Sequence, residues 1–190
     1  CTNEMMRRTR NFAYVYGVFS DSTVPRQTGA RIIRECVSGI TLTRFMDAAT
    51  FTVAAYISII LQLALAIDIA QRRFVFVHGA LTTDNVRIYI SERPEDRRFD
   101  YVMSPTLTYT IRTRVIPVIT PTHHARMHVG GKRSPFPTNM HLDMLTIFAS
   151  SISRINENRL NAEESLAIMM MANHIIQPYE PFNHIGDVIT

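Results

Sequence analysis

Apolar positions fall into blocks with different periods along this chain. Residues 51–70 read FTVAAYISIILQLALAIDIA, interrupted mainly by Gln62 and Asp68 and followed at once by Arg72 and Arg73. This block predicts a long helix over about 51–72, with Thr50 as its cap. Its length suits a membrane span, but an aspartate inside a span is costly, so a buried helix of a soluble domain is expected. Upstream, residues 11–19 are aromatic and β-branched around Gly17 and predict a strand. Residues 30–37 predict its hairpin partner across a turn or loop at 21–29, and Ser38 with Gly39 ends the pair. A short helix is expected over 41–47, with short strands at 74–77, 86–90 and 115–120. Residues 91–100 are charged and contain Pro94, predicting an exposed loop, and the weak alternation of 101–113 predicts a hairpin. Residues 121–137, rich in Pro, Gly and His, predict a loop. Met140, Leu142, Leu145, Phe148, Ile152 and Ile155 recur at helical spacing and predict a helix over 138–155. Asn161 with Glu164 three positions on resembles a capping box opening a last helix over 162–176. Arg7, Arg8 and Arg10 suit the tail of a helix, where cations complement the dipole.

Composition narrows the class. The 190 residues are 46% hydrophobic and 19% charged, as expected of one ordered globular domain or lobe. The net charge is +4 with basic residues scattered along the chain, so no nucleic-acid footprint is expected. Lys132 is the sole lysine among 20 basic residues, a bias that a GC-rich genome would produce. Cys1 and Cys36 form no CxxC, arguing against a disulfide framework or zinc site and for a reducing compartment. With Cys first and no signal-peptide pattern, the chain is expected to be a fragment or a processed product.

Candidate chemistry is sparse. His124 and His128 would share a face if their segment were helical. Pro121, Gly130 and Gly131 argue for a loop, no Cys or acidic residue adjoins, and these with His123 read as surface histidines rather than metal ligands. Met169, Met170 and Met171 suit core filling, with a partner surface as the other reading. No G-x-S-x-G or comparable nucleophile signature occurs.

The exception is His78-Gly79-Ala80-Leu81-Thr82-Thr83-Asp84-Asn85. Its spacing resembles the catalytic loop of protein kinases, H-R-D-L-x-x-x-N. There the Asp accepts the substrate proton and the Asn holds a metal ion. Here His78 and Asn85 stand in place, but the base position is Ala80. The resemblance extends outward in order. Residues 11–37 look like the last small-lobe strands. Glu35 to Leu42 look like the hinge, where Glu35 and Val37 would meet an adenine in an active relative. Residues 51–72 look like the helix before the catalytic loop. Pro121 stands where the metal-binding D-F-G aspartate would be. Asp143 resembles the buried aspartate that steadies the catalytic loop through backbone N–H bonds; an ordinary exposed helix residue is the equal alternative. No G-x-G-x-x-G, V-A-I-K or A-P-E occurs. The loop also resembles the version in kinase-like proteins of large DNA viruses.

The resemblance implies an α+β, mostly helical fold: a kinase-like large lobe over 38–190 after remnant small-lobe strands and hinge at 1–37. It implies a catalytically inactive, pseudokinase-like module, used as a structural or interaction protein in the cytoplasm or a virion. Protein partners are expected, with no nucleic acid, membrane span, cofactor or metal. The alternatives are a serine/threonine or nucleotide-binding regulatory kinase domain, and a helical domain unrelated to kinases.

Overall fold

Hydroxyl side chains start the first two helices. Thr41 Oγ1 accepts the Arg44 N–H at 3.2 Å and opens α1 (Leu42–Asp47). Thr52 Oγ1 accepts the Ala55 N–H at 3.2 Å and opens α2 (Val53–Phe74). Each satisfies a donor that a helix N-terminus otherwise leaves unpaired. The expected cap at Thr50 is therefore corrected to Thr52. At its far end α2 runs through Phe74, and Val75 takes the left-handed cap conformation with φ 48°. The strand expected at 74–77 does not form, because the helix consumes its first residue and the cap its second. The computed structural model describes residues 5, 7–20, 30–92, 95–120, 122, 125, 140–155 and 160–176. The expected loops at 21–29 and 121–137 thus lie wholly or almost wholly outside the described residues.

Strands β1 (Val15–Ser20) and β2 (Ala30–Arg34) pair antiparallel, with an irregularity between Val15 and Gly17. β3 (Ile40–Thr41), β4 (Val86–Ile90) and β7 (Val115–Ile119) form a three-stranded antiparallel sheet in the order β3-β4-β7. Val86 faces Ile119 and Ile90 faces Val115. Gly39 leads into this sheet at φ 110°, so close to β4 that a Cβ there would fall onto the Ile88 carbonyl oxygen. Only glycine fits both demands. β5 (Arg97–Ser104) and β6 (Leu107–Thr113) form a separate hairpin, with Tyr101 opposite Tyr109. The hairpin begins within the stretch expected as an exposed charged loop. Arg98 and Asp100 lie on its exposed face, where they pair at 3.0 Å and leave Phe99 and Tyr101 to face inward. Helices α3 (Met140–Ile152) and α4 (Ala162–Ile176) are the last elements among the described residues.

The main core forms around α2. Tyr56, Ile59, Ile60, Leu63, Ile67 and Ala70 are buried against Phe12, Leu42, Phe76, Ile88 and Ile119. Each large side chain so removed from water contributes about 1.5–3 kcal/mol. The two polar interruptions of α2 have definite uses. Gln62 is fully buried, and its Nε2 donates to the Val115 carbonyl at 3.0 Å, fastening α2 to β7. Asp68 pairs with Arg72 at 2.8 Å one turn on. By length and composition α2 is apolar enough to cross a membrane, and 61% of its apolar window is buried within the fold. A smaller cluster of Val53, Phe148, Ile168 and Ala172 joins α2, α3 and α4.

The expectation of a mostly helical, kinase-like large lobe with remnant strands is corrected. The described residues are 43% helical and 27% strand, arranged as four helices and several small antiparallel sheets. Among the described residues five strands, β3 to β7, lie within residues 38–190, where the kinase resemblance implies a helical lobe although the residue pattern itself predicts strands at 86–90 and 115–120 and a hairpin over 101–113. The cause is local: β-branched and aromatic residues at 97–119 satisfy their backbones by pairing across strands rather than within helices. The strand expected over 30–37 likewise ends at Arg34.

Candidate functional site

The loop from His78 to Asn85 is held from three directions. Asp143, on the first turn of α3 and 1% exposed, points its carboxylate at the start of the loop. Its Oδ2 accepts the His78 N–H at 2.7 Å and its Oδ1 accepts the Gly79 N–H at 2.9 Å. Of the two readings of Asp143, the exposed one is thereby excluded. Backbone donors of this kind solvate a buried carboxylate, since charge-assisted hydrogen bonds exceed neutral ones in strength. Gly79 takes φ 75°, which lets two successive N–H groups converge on one carboxylate.

The second hold comes from the end of β7. His78 is fully buried, and its Nε2 lies 3.0 Å from the Thr120 carbonyl oxygen. A carbonyl only accepts, so Nε2 carries the proton. Thr120 also donates through its N–H at 3.0 Å and its Oγ1 at 2.9 Å to the Asn85 carbonyl. Thr120 thus clasps both ends of the loop. Sequence reasoning assigned it no role beyond the end of a strand, because nothing in its local pattern signals a partner 42 residues away.

The third hold is internal. Asn85 Nδ2 donates to the Ala80 carbonyl at 2.7 Å and to Thr82 Oγ1 at 3.3 Å. A short 3-10 turn over Thr83–Asn85 follows, with Thr83 buried. Beside it Thr43, on α1, donates to Asp84 Oδ1 at 2.6 Å and lies 2.8 Å from Thr83 Oγ1. Asp84 is exposed.

Chemically, the loop offers one exposed carboxylate, Asp84, and a buried imidazole whose Nε2 is already engaged with Thr120. Ala80, half-buried at the base position, has a methyl group and can neither take a proton nor orient a hydroxyl. Among the described residues no group of three His, Cys, Asp or Glu is placed to hold a metal ion. Pro121, His123, His124 and His128 lie outside the described residues. Glu35 and Val37, the expected adenine-facing pair, lie elsewhere in the network. The Glu35 N–H donates to the Tyr14 carbonyl at 2.7 Å, and Glu35 Oε2 accepts the Tyr14 N–H at 3.1 Å. Val37 packs with Ala13, Ile116 and Val118. The methionine run is split: Met169 and Met170 are exposed at 57% and 63%, while Met171 packs into the core.

No family model matches the chain. It is similar to uncharacterized protein 035R of Invertebrate iridescent virus 3, at 28% identity over 142 residues. The similarity covers 68% of this chain and 12% of that protein, so the chain spans a small part of the relative's length. A viral protein is therefore among its relatives.

Proposed function

We propose that this chain is a non-catalytic structural or interaction module of a viral protein. In this reading the kinase-like relationship is confined to the loop at 78–85 and its aspartate brace. The loop is retained for its architecture rather than for phosphoryl transfer. The observation that carries the reading is the contrast within one loop. Every anchoring contact is made, by Asp143, Thr120 and Asn85, while the position that would move a proton is Ala80. Phosphoryl transfer depends on positioning and on charge held near the phosphates, and a methyl group contributes to neither. Similarity to part of a much longer viral protein supports a place within a larger polypeptide or assembly, in the host cytoplasm or the virion.

Thermal unfolding with and without Mg-ATP tests the proposal. A ligand that binds only the folded chain raises its apparent stability. The expected result is no shift, for this chain and for Ala80→Asp, together with no phosphoryl transfer to a generic acceptor protein. A shift at sub-millimolar nucleotide, accompanied by transfer, would overturn the non-catalytic reading in favour of the kinase alternative.

A further inference from the structure

We propose that the free edge of β5 is a strand-addition site for an extended acidic segment of a partner protein. This rests on the interaction-module reading and names the partner's chemistry. A groove of about 740 Å³ runs between residues 7–10 and residues 95–101. Residues 97 to 101 of β5 line it consecutively. Successive side chains of a strand point to opposite faces. A cavity touched by five in a row therefore follows the strand's edge rather than one face. No β6 residue lines it, so the edge is the one opposite the hairpin partner. Among the described residues β5 pairs with β6 alone, leaving this edge open to another backbone along about 17 Å for five residues. Open edges of this kind are templates for strand addition.

Charge selects the occupant. Five arginines and three carboxylates line the groove. Arg98 and Asp100 neutralise each other at 3.0 Å, and Arg8, Arg10 and Arg97 outnumber the remaining Glu95 and Asp96. Arg8 and Arg10 are exposed on the wall that faces β5. An incoming strand with acidic side chains would set its backbone on β5 and its carboxylates against this wall. A second copy of this chain would bring the same arginines and place like charges opposite one another. A nucleic acid would match the arginines, but it lacks the alternating backbone N–H and C=O groups that a strand edge pairs with.

The test is a fluorescence-anisotropy titration of a labelled peptide alternating Glu with Val and Thr. Its Lys counterpart and a single-stranded oligonucleotide serve as comparisons. The expected result is saturable binding of the acidic peptide alone, with new amide-exchange protection across residues 97–101 of the unmutated chain. Arg8→Glu with Arg10→Glu, and separately Arg8→Gln with Arg10→Gln, should weaken binding, the former by on the order of tenfold or more. No saturable binding of the acidic peptide, or binding without protection at 97–101 or indifferent to both double variants, would overturn the edge assignment. Tighter binding of the oligonucleotide would overturn the choice of a peptide. None of these outcomes touches the Mg-ATP result, so this site can fail while the non-catalytic reading stands, and the reverse.

Discussion

Asp143 and His78 stand 65 positions apart, yet Asp143 Oδ2 accepts the His78 backbone N–H at 2.7 Å. The same carboxylate takes the Gly79 N–H through its other oxygen. One side chain on α3 therefore fixes the direction in which the chain leaves α2 and enters the loop.

Asp143→Asn keeps the shape and removes one acceptor, turning an amide NH₂ toward one of the two backbone donors. The expected loss is about 3 kcal/mol of unfolding free energy, because a buried donor is left unpaired and a charge-assisted bond is gone. Urea denaturation measures it, and faster amide exchange at Gly79 locates it. An unfolding midpoint unchanged from the parent chain would count against the brace.

Gly39→Ala should cost at least about 2 kcal/mol, since the added methyl meets the Ile88 carbonyl and a positive φ disfavours any Cβ. Gly79→Ala meets the backbone problem too, as its φ is 75°. Both variants should lower the thermal unfolding midpoint, and a midpoint unchanged in Gly39→Ala would count against the close approach to β4.

Tyr56 is buried against Ser151, with their hydroxyls 2.6 Å apart, and burial pushes its phenol up from 10.0 to about 12. Burial pushes Tyr101 in the same direction. The fold favours the neutral phenols. Their contribution is complete below about pH 10 and is lost as pH rises through the folded-state values. Denaturation midpoints should fall steeply toward pH 12 in the parent chain and less steeply in Tyr56→Phe. Near neutral pH that variant should lose only about 1 kcal/mol, since Ser151 Oγ keeps its bond to the Phe148 carbonyl at 2.8 Å.

Asn161 and Glu164 cap α4 reciprocally. Asn161 Oδ1 accepts the Glu164 N–H at 2.8 Å, and Glu164 Oε2 accepts the Asn161 N–H at 3.0 Å. Replacing either by Ala should cost about 1 kcal/mol, and the double variant less than the sum, because the two bonds belong to one motif. Exchange within α4 is the sensitive measurement, as its packing rests on the small cluster with Val53 and Phe148.

Elements with a single dominant period were readable from the residues. α4 follows its capping signal, and α2 follows its apolar block to within two residues at each end. The β5–β6 hairpin was half legible. Its start looked like loop because Arg97, Arg98 and Asp100 are charged, and only the cross-strand partners Thr113, Arg112 and Thr110 reveal a strand. The apolar run at 74–77 misled for the converse reason: four apolar residues suit a strand, yet the helix hydrogen bond from the Val75 N–H to the Gln71 carbonyl claims the chain first. At the candidate site, the loop and Asp143 were visible through resemblance alone. Thr120, Thr43 and Asn11 gave no signal, because short polar side chains acquire meaning only from what folding brings beside them.

Asn11 has a consequence for the order in which the chain organises itself. Its Nδ2 donates to the Pro117 carbonyl across 106 positions, and its Oδ1 accepts from Tyr101 Oη across 90. Phe12 bridges Ile119 in the same place. At synthesis rates of about 5–20 residues per second, the first of these residues waits roughly 5–20 seconds for its partner to be made. Through that interval Phe12 has Phe76 and the α2 side chains for cover, while Asn11 lacks both of its long-range partners and Ala13 lacks Ile116 and Val118. The early part of this chain therefore completes its packing only after β7 has been made.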